Sequence, residues 1–377
     1  MASDHLITRS KSTTPYLWRS FLILFLAFIV LLAAIFVGAR FGLLLAVGLC
    51  FGIVLEGLGF GFAGPWRAMI LRREASGVLA QLLAIGLAAI LALPLIHFNG
   101  GEIVGARGSI GWSMVLGAFC FGVAMQVVLG CGSGTLVNVG SGNPIALLAL
   151  PFFSIGSFVG AYHVTWWTGL GALPVMVLAG WSGLLITLTL LIAVAAVFFF
   201  FARSGERFIS KRYLLAAILI AVLASLNLII AGQPWGVVYG LGLWAAKVVV
   251  SLGVDLSGSV FFSAPVNAER LQESILTDYT SLTNIGLILG AFFVGSWRVG
   301  GFSQKLPRLP LRAWFSTIIA GFIMGYAARL ALGCNVGAYF SGISTGSLHG
   351  WMWFLAAFCG SYYGIKLRPI LGLEVRS

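Results

Sequence analysis

Charge is what this chain has least of. Only 8% of its 377 residues are charged and only ten are acidic, where a soluble domain carries about 25% charged residues. With 60% of residues apolar and a mean hydropathy of +1.05, the chain holds more apolar surface than one soluble core can bury, which excludes a soluble enzyme. Nucleotide-handling motifs are missing too. No Walker loop, dinucleotide fingerprint or catalytic-triad pattern occurs, so neither an ATPase domain nor any cofactor is expected. The five cysteines (Cys50, Cys120, Cys131, Cys334 and Cys359) show no C-x-x-C spacing and lie within or beside apolar runs. That pattern speaks against a zinc site and against a disulfide framework.

What is present is a series of apolar runs of about 17–25 residues, the length that crosses a bilayer. Ten spans are expected, near 16–38, 41–56, 77–97, 110–130, 144–168, 181–202, 213–232, 279–298, 312–333 and 347–367. Arg9, Lys11 and Arg19 flank the first run, which is too long for a signal peptide and lacks a clear cleavage site, so it is read as a retained span. The net charge of +12 sits in short loops between runs, which is a topology signal rather than a nucleic-acid footprint, and no nucleic acid is expected as a partner. Placing the N-terminus in the cytoplasm of a bacterial inner membrane puts every basic cluster inside: Arg67, Arg72 and Arg73; Arg203, Arg207, Lys211 and Arg212; Arg298, Lys305, Arg308 and Arg312; Lys366 and Arg368. The loop from Asp255 to Asp278, with Glu269 and Glu273, then falls outside, and both termini are cytoplasmic.

That assignment works only if four Gly-rich stretches, near 57–70, 131–143, 235–250 and 334–346, enter the membrane and return on the same side. Irregular backbone at membrane depth is tolerated where it is buried in protein or lines a wet cavity, so four such stretches imply a substrate path. Fifty glycines, nearly twice ordinary usage, suit the same picture.

A repeat supports it. Gly122 to Gly134 reads GVAMQVVLGCGSG, and 203 residues later Gly325 to Gly337 reads GYAARLALGCNVG, with six identical positions including Gly130 and Gly333, Cys131 and Cys334, and Gly134 and Gly337. In the topology above the first helix runs inward and the second outward, so the fold class expected is an all-α polytopic membrane protein built as an inverted repeat with four re-entrant short helices. Its parts are an extra span at 1–40, a first half at 41–180, a connecting span and loop at 181–212, and a second half at 213–377. A weaker echo aligns GFGFAGPWRA (59–68) with VYGLGLWAAK (238–247).

In L-G-C-x-x-G the first glycine lets the chain break, the cysteine stands at the break, and the second glycine opens the next short helix. Such helices aim free N–H groups at the midplane, which suits an anion. Small residues packing and Cys serving as a small hydrophobe is the competing reading for a single such motif. Its recurrence at matched positions favours a path. Neutral thiols offer weak, polarizable relay points for a sulfur-rich anion, while disulfide or persulfide chemistry at Cys131 and Cys334 is the alternative. Arg329 lies five residues before Cys334, with Gln126 at the matched place before Cys131. Arg329 has three readings: to attract an anion, to cap a carbonyl, or to tie the halves together. Asn335, Asn138, Ser341, Ser344, His349 and Lys247 are polar candidates for the vestibules, each with a structural reading beside the functional one.

At these residues the chain resembles the YeeE/YedE family of sulfur-transport membrane proteins, from about Phe41 to Leu371 and most specifically at 127–142 and 325–351. The resemblance implies an hourglass of membrane helices with cysteines at the constriction and thiosulfate uptake as the function, with membrane lipid around it and, in some members, a small cytosolic sulfur-carrier protein as partner. It also implies a first motif of roughly Phe-Cys-Phe-Ala-Gly; here Gly61 stands where that cysteine would be. Thiosulfate or a related small sulfur-containing anion is therefore the expected substrate. A membrane thiol enzyme that forms a persulfide and a structural subunit without a path are the competing functions.

Overall fold

The computed structural model describes residues 16–299 and 309–373, so Arg9, Lys11, Lys305 and Arg308 lie outside the described residues. Apolar runs become helices because a backbone N–H in hydrocarbon must find its acceptor within its own segment. In chain order these are α1 (Tyr16–Phe36), α2 (Ala39–Leu58), α3 (Ala63–Arg72), α4 (Ser76–Phe98), α5 (Trp112–Val128), α6 (Gly132–Gly140), α7 (Pro144–Tyr162) and α8 (Val164–Thr168). There follow α9 (Gly180–Phe201), α10 (Lys211–Ala231), α11 (Val238–Ser251), α12 (Val260–Ser263), α13 (Pro265–Gln272), α14 (Tyr279–Val299) and α15 (Leu311–Leu330). A π-helical segment, Asn335–Phe340, runs into α16 (Ser341–Ser344), and α17 (His349–Leu367) closes the chain.

Among the described residues nine stretches are long and apolar enough to cross a bilayer. The tenth expected span, α17, is a helix of 19 residues that carries His349, Ser361 and Lys366. The chain is an all-α polytopic membrane protein. Local sequence sets the helix ends where it can: Asn143 caps α7 by accepting from Ile145 N at 2.9 Å and Ala146 N at 3.2 Å, with Pro144 opening the helix. The run expected at 144–168 divides in two, because the chain turns at His163 and α8 is a separate turn.

Lipid tails are as apolar as leucine, so close backbone approach rather than oil burial draws membrane helices together. Helix α5 packs on α17, and α7 packs on α15. In the first pair Gly122 lies against the Ala357 carbonyl and Gly360 against that of Phe119; in the second, Gly325 lies against Phe153 and Gly156 against Phe322. A methyl at any of these four glycines would strike a backbone carbonyl. Other contacts pair off in the same way: α2 with α14 and α10 with α4, α3 with α17 and α11 with α7. The main buried cluster contains both Cys131 and Cys334, with Phe62, Trp66, Trp235, Tyr339 and Trp353 around them. Helix α1 lies along α2 and leaves Phe21, Leu24, Phe28 and Leu31 exposed, as a lipid-facing surface requires.

Candidate functional site

Both thiols stand on chain breaks of one shape. Helix α5 ends at Val128, and Leu129 takes a left-handed conformation at φ 58°. Gly130 N then reaches back to Met125 O at 3.2 Å, and Cys131 is extended at the start of α6, its carbonyl accepting from Thr135 N at 2.8 Å. At the second break Leu332 is left-handed at φ 63°, Gly333 N reaches Ala328 O at 2.8 Å, and the extended Cys334 accepts from Ala338 N at 2.8 Å. Every one of these positions matches its counterpart at the repeat spacing. A left-handed leucine costs roughly 1–2 kcal/mol, so the two breaks hold the same strain.

Cys131 is 1% exposed and Cys334 is 0% exposed. The Cys131 sulfur accepts from Gly134 N at 3.4 Å and meets Ser133 Oγ at 3.3 Å. The Cys334 sulfur lies against Gly132, so close that a Cβ on that residue would stand 2.8 Å from Sγ. Glycine immediately after Cys131 is therefore what lets the second thiol come up beside the first. Cys50, Cys120 and Cys359 are exposed on the outer surface of the bundle and take no part.

A cavity of about 560 Å³ opens on one side of this junction. Glu56, Arg72, Glu74 and Glu206 stand along its rim, while Gly61, Phe62, Gly130, Cys131 and Gly134 line it further in, with Asn138 on the wall. Gly61 faces open space, with nothing within 4 Å of where a Cβ would stand, and the same holds for Gly337 beside Cys334. At the rim the Arg72 guanidinium grips Glu74 at 2.5 and 2.8 Å and holds that carboxyl below its ordinary value. Arg298 donates to Glu56 at 3.1 Å and to the Gly57 carbonyl at 2.8 Å. Beyond the second break, two loops are tied to the chain that follows α16. Ala106 N donates to Thr345 Oγ1 at 2.9 Å, Leu178 N to Gly346 O at 2.7 Å and Leu348 N to Met176 O at 3.0 Å.

Four polar side chains inside the bundle hold the chain entering α3 and α11. Gln126 donates to Ala63 O at 3.0 Å, and Arg329, at the matched position, donates to Tyr239 O at 3.4 Å and Ser157 Oγ at 3.1 Å. Gln81 donates to Gly61 O at 2.8 Å, and Asn284, also at the matched spacing, donates to Val237 O at 2.9 Å. Arg329 also lies over the Tyr239 and Phe261 rings, each 5.1 Å away, and it does not line the cavity. Gln81 and Asn284 escaped the sequence reading because their identities differ, and Asn284 sits among Thr280, Ser281 and Thr283 whereas Gln81 stands alone in an apolar run. The signal was there: a side-chain amide at the repeat spacing in both halves. Lys247 is placed away from the cavity as well, its ammonium donating to the Leu271 carbonyl at 2.7 Å and to that of Glu273. Ser341 donates to Trp235 O at 2.7 Å, and Ser347 meets His349 at 2.7 Å.

Asn335 is different. It follows Cys334, is 0% exposed, and neither its amide nitrogen nor its oxygen has a hydrogen-bond partner. An unpaired buried polar group costs about 1–3 kcal/mol.

The sequence matches the protein-family model for sulphur transport over residues 59–363. It is 31% identical over 163 residues to a probable transporter, YedE, of Escherichia coli, a match that takes in 43% of this chain and 39% of that protein. It is also 26% identical over 342 residues to TsuA, a thiosulfate transporter of Spirochaeta thermophila, taking in 82% of this chain and 93% of that protein. The chain thus spans about two fifths of the length of the YedE relative and nearly all of TsuA.

Proposed function

The chain belongs to the sulphur transport family, and from that membership we propose that it is an inner-membrane permease or channel-like importer for thiosulfate or a related small sulfur-containing anion. The observation that carries the reading is the meeting of two buried thiols on matched chain breaks, one of them at the end of a cavity that opens to a charged rim. Cys131 and Cys334 act as neutral relay points: each offers a weak donor on a soft atom, and weak successive sites let an ion enter and leave. Gly130, Gly134, Gly333 and Gly337 give the breaks their shape and leave room beside the sulfurs. Gly61 stands where the family's first cysteine is expected, and the open space at its α-carbon widens the passage there. Gln126 and Arg329 act as clamps on α3 and α11 rather than as anion ligands, since both donate to backbone carbonyls of those helices.

The architecture we propose is the inverted repeat, with 41–180 and 213–377 as halves, 1–40 an added span and 181–212 the connection. The exchanged packing supports it, since α2 against α14 is answered by α10 against α4, and α5 against α17 by α15 against α7. The matched glycine contacts support it too. In this arrangement α3, α6, α11 and the segment from Asn335 to Ser344 are the re-entrant elements. The starts of α3 and α11, at Ala63 and Val238, align one helical turn away from the register of the sequence echo. Inverted repeats with broken helices place their site where the halves meet, which is where the thiols lie. The charged rim then faces the cytoplasm, where a small sulfur-carrier protein can collect the released anion.

Uptake of radiolabelled thiosulfate into liposomes holding the purified protein tests the reading. Wild type takes up label, and Cys131→Ala and Cys334→Ala each take up far less. Equal uptake by the double variant removes the relay. A mass increment of one sulfur atom on either cysteine after exposure to substrate replaces the relay with a persulfide enzyme. A Cβ at Gly61 meets no atom within 4 Å, so Gly61→Cys supplies the third thiol, and faster flux in that variant identifies Gly61 as a lost relay position.

A further inference from the structure

We infer that Asn335 is the hydrogen-bond donor that reads an oxygen of the passing anion at the thiol junction, so that the substrate must carry both a soft sulfur and an acceptor oxygen. The inference rests on the transport reading of this site. Both polar atoms of the buried Asn335 amide lack a partner, and it is the one amide among the described residues of which this is true; the buried hydroxyls of Thr135, Thr187 and Tyr339 are unpartnered too. The other side-chain amides near the breaks, and Ser341, have used their donors: Gln126 on Ala63 O, Asn284 on Val237 O and Ser341 on Trp235 O. An amide kept free in so dry a place is stabilised only when something that passes supplies the missing bond.

Its position says what passes. Asn335 is the repeat counterpart of Gly132, whose α-carbon lies against the Cys334 thiol. Asn335 is itself the residue after Cys334, so the chain leaving each break meets the other at this place and a free amide lies next to the second thiol in the chain. At that position the first half has a glycine and the second an amide donor, while the Ser133 hydroxyl of the first half is engaged with the Cys131 sulfur at 3.3 Å. One donor on one side orients an anion that has two chemically different ends, its sulfur against the thiols and its oxygen against the amide nitrogen. Neutrality matters as well: a fixed cation would hold the anion and a carboxylate would repel it, whereas an amide binds and releases.

Asn335→Asp tests this in the full chain, reconstituted in liposomes, with radiolabelled thiosulfate as the probe. The substitution keeps the shape; protonated, the aspartate is neutral and has an O–H donor, and ionised it has acceptors alone. Uptake by the Asp variant falls as the pH is raised, relative to wild type at each pH. The neighbouring titratable groups, Cys131, Cys334 and Tyr339, are present in both proteins, so the ratio isolates residue 335. Asn335→Ala loses about tenfold or more, the size of one hydrogen bond to a charged group, and Asn335→Ser, which keeps a donor, loses less. Wild-type rates in the Ala and Asp variants at every pH overturn the inference and leave the transport reading standing. An equal loss in the Asp variant at every pH, in protein that elutes from a sizing column like wild type, assigns Asn335 to packing and also overturns it. A wild-type protein that takes up neither thiosulfate, sulfite nor sulfate overturns the transport reading itself, and this inference with it.

Discussion

At the scale of the residue, two glycines that look alike in the sequence have opposite surroundings. Gly132 is pressed against the Cys334 sulfur, while Gly61 looks into the open cavity. Gly132→Ala therefore forces the sulfur or the backbone to move, and overpacking of this kind costs about 1–3 kcal/mol. The expected outcome is a lower unfolding midpoint together with reduced thiosulfate uptake. Gly61→Ala should change the midpoint little, because the new methyl meets no atom. Equal effects at the two positions would mean that the thiols are not confined as described. Arg329 makes a second residue-scale prediction. As a clamp on Tyr239 O and Ser157 Oγ, its replacement by Gln, the side chain found at the matched position, lowers stability and leaves the KM for thiosulfate unchanged. A raised KM with unchanged stability would place Arg329 on the path instead.

At the scale of the element, the short helices are stable because the bundle satisfies the polar atoms around their entries. Helix α3 has 10 residues, too few to be stable alone. It is held where it begins: Gln81 accepts from Trp66 Nε1 at 2.9 Å and donates to Gly61 O at 2.8 Å. Gln81→Leu keeps the volume and strips both bonds, leaving a buried indole N–H and a carbonyl unpaired at about 1–3 kcal/mol each. Thermal unfolding in detergent should show the loss, and thiosulfate uptake should fall because Gly61 and Phe62 are no longer held against the cavity. An unchanged midpoint would mean that α3 is fixed by its aromatic contacts alone. Asn284→Leu is expected to do the same to the entry of α11, where Val237 O loses its donor.

At the scale of the whole molecule, the charge pattern makes a prediction that no contact inside the bundle can make. The loop that contains Ala264 should face outward and the loop that contains Ser204 should face the cytoplasm. Single cysteines placed at Ala264 and Ser204, in a chain whose exposed Cys50, Cys120 and Cys359 are replaced by serine, report this with a membrane-impermeant thiol reagent. Label on intact cells should reach residue 264 and not residue 204, and inverted vesicles should reverse the pattern. Label at both positions from the same side would break the ten-span topology and the inverted relation of the halves with it.

The sequence by itself determined the class of the molecule, because hydrocarbon admits helices and little else, and long apolar runs mark where they lie. It also pointed to both cysteines, since a motif repeated 203 residues on is visible in one dimension. What it could not determine was which partners the polar residues take inside the bundle. Gln126 and Arg329 were visible as matched positions, yet their roles depend on the carbonyls of α3 and α11, which come from distant stretches of chain. The roles of Gln81 and Asn284 depend in the same way on the carbonyls of Gly61 and Val237. Only the packed structure decided that the Cys334 sulfur would rest on Gly132, that Asn335 would be left without a partner, and that a cavity would open beside Cys131. Helix formation in lipid is a property of each segment, whereas a hydrogen bond between segments exists only once the bundle has closed.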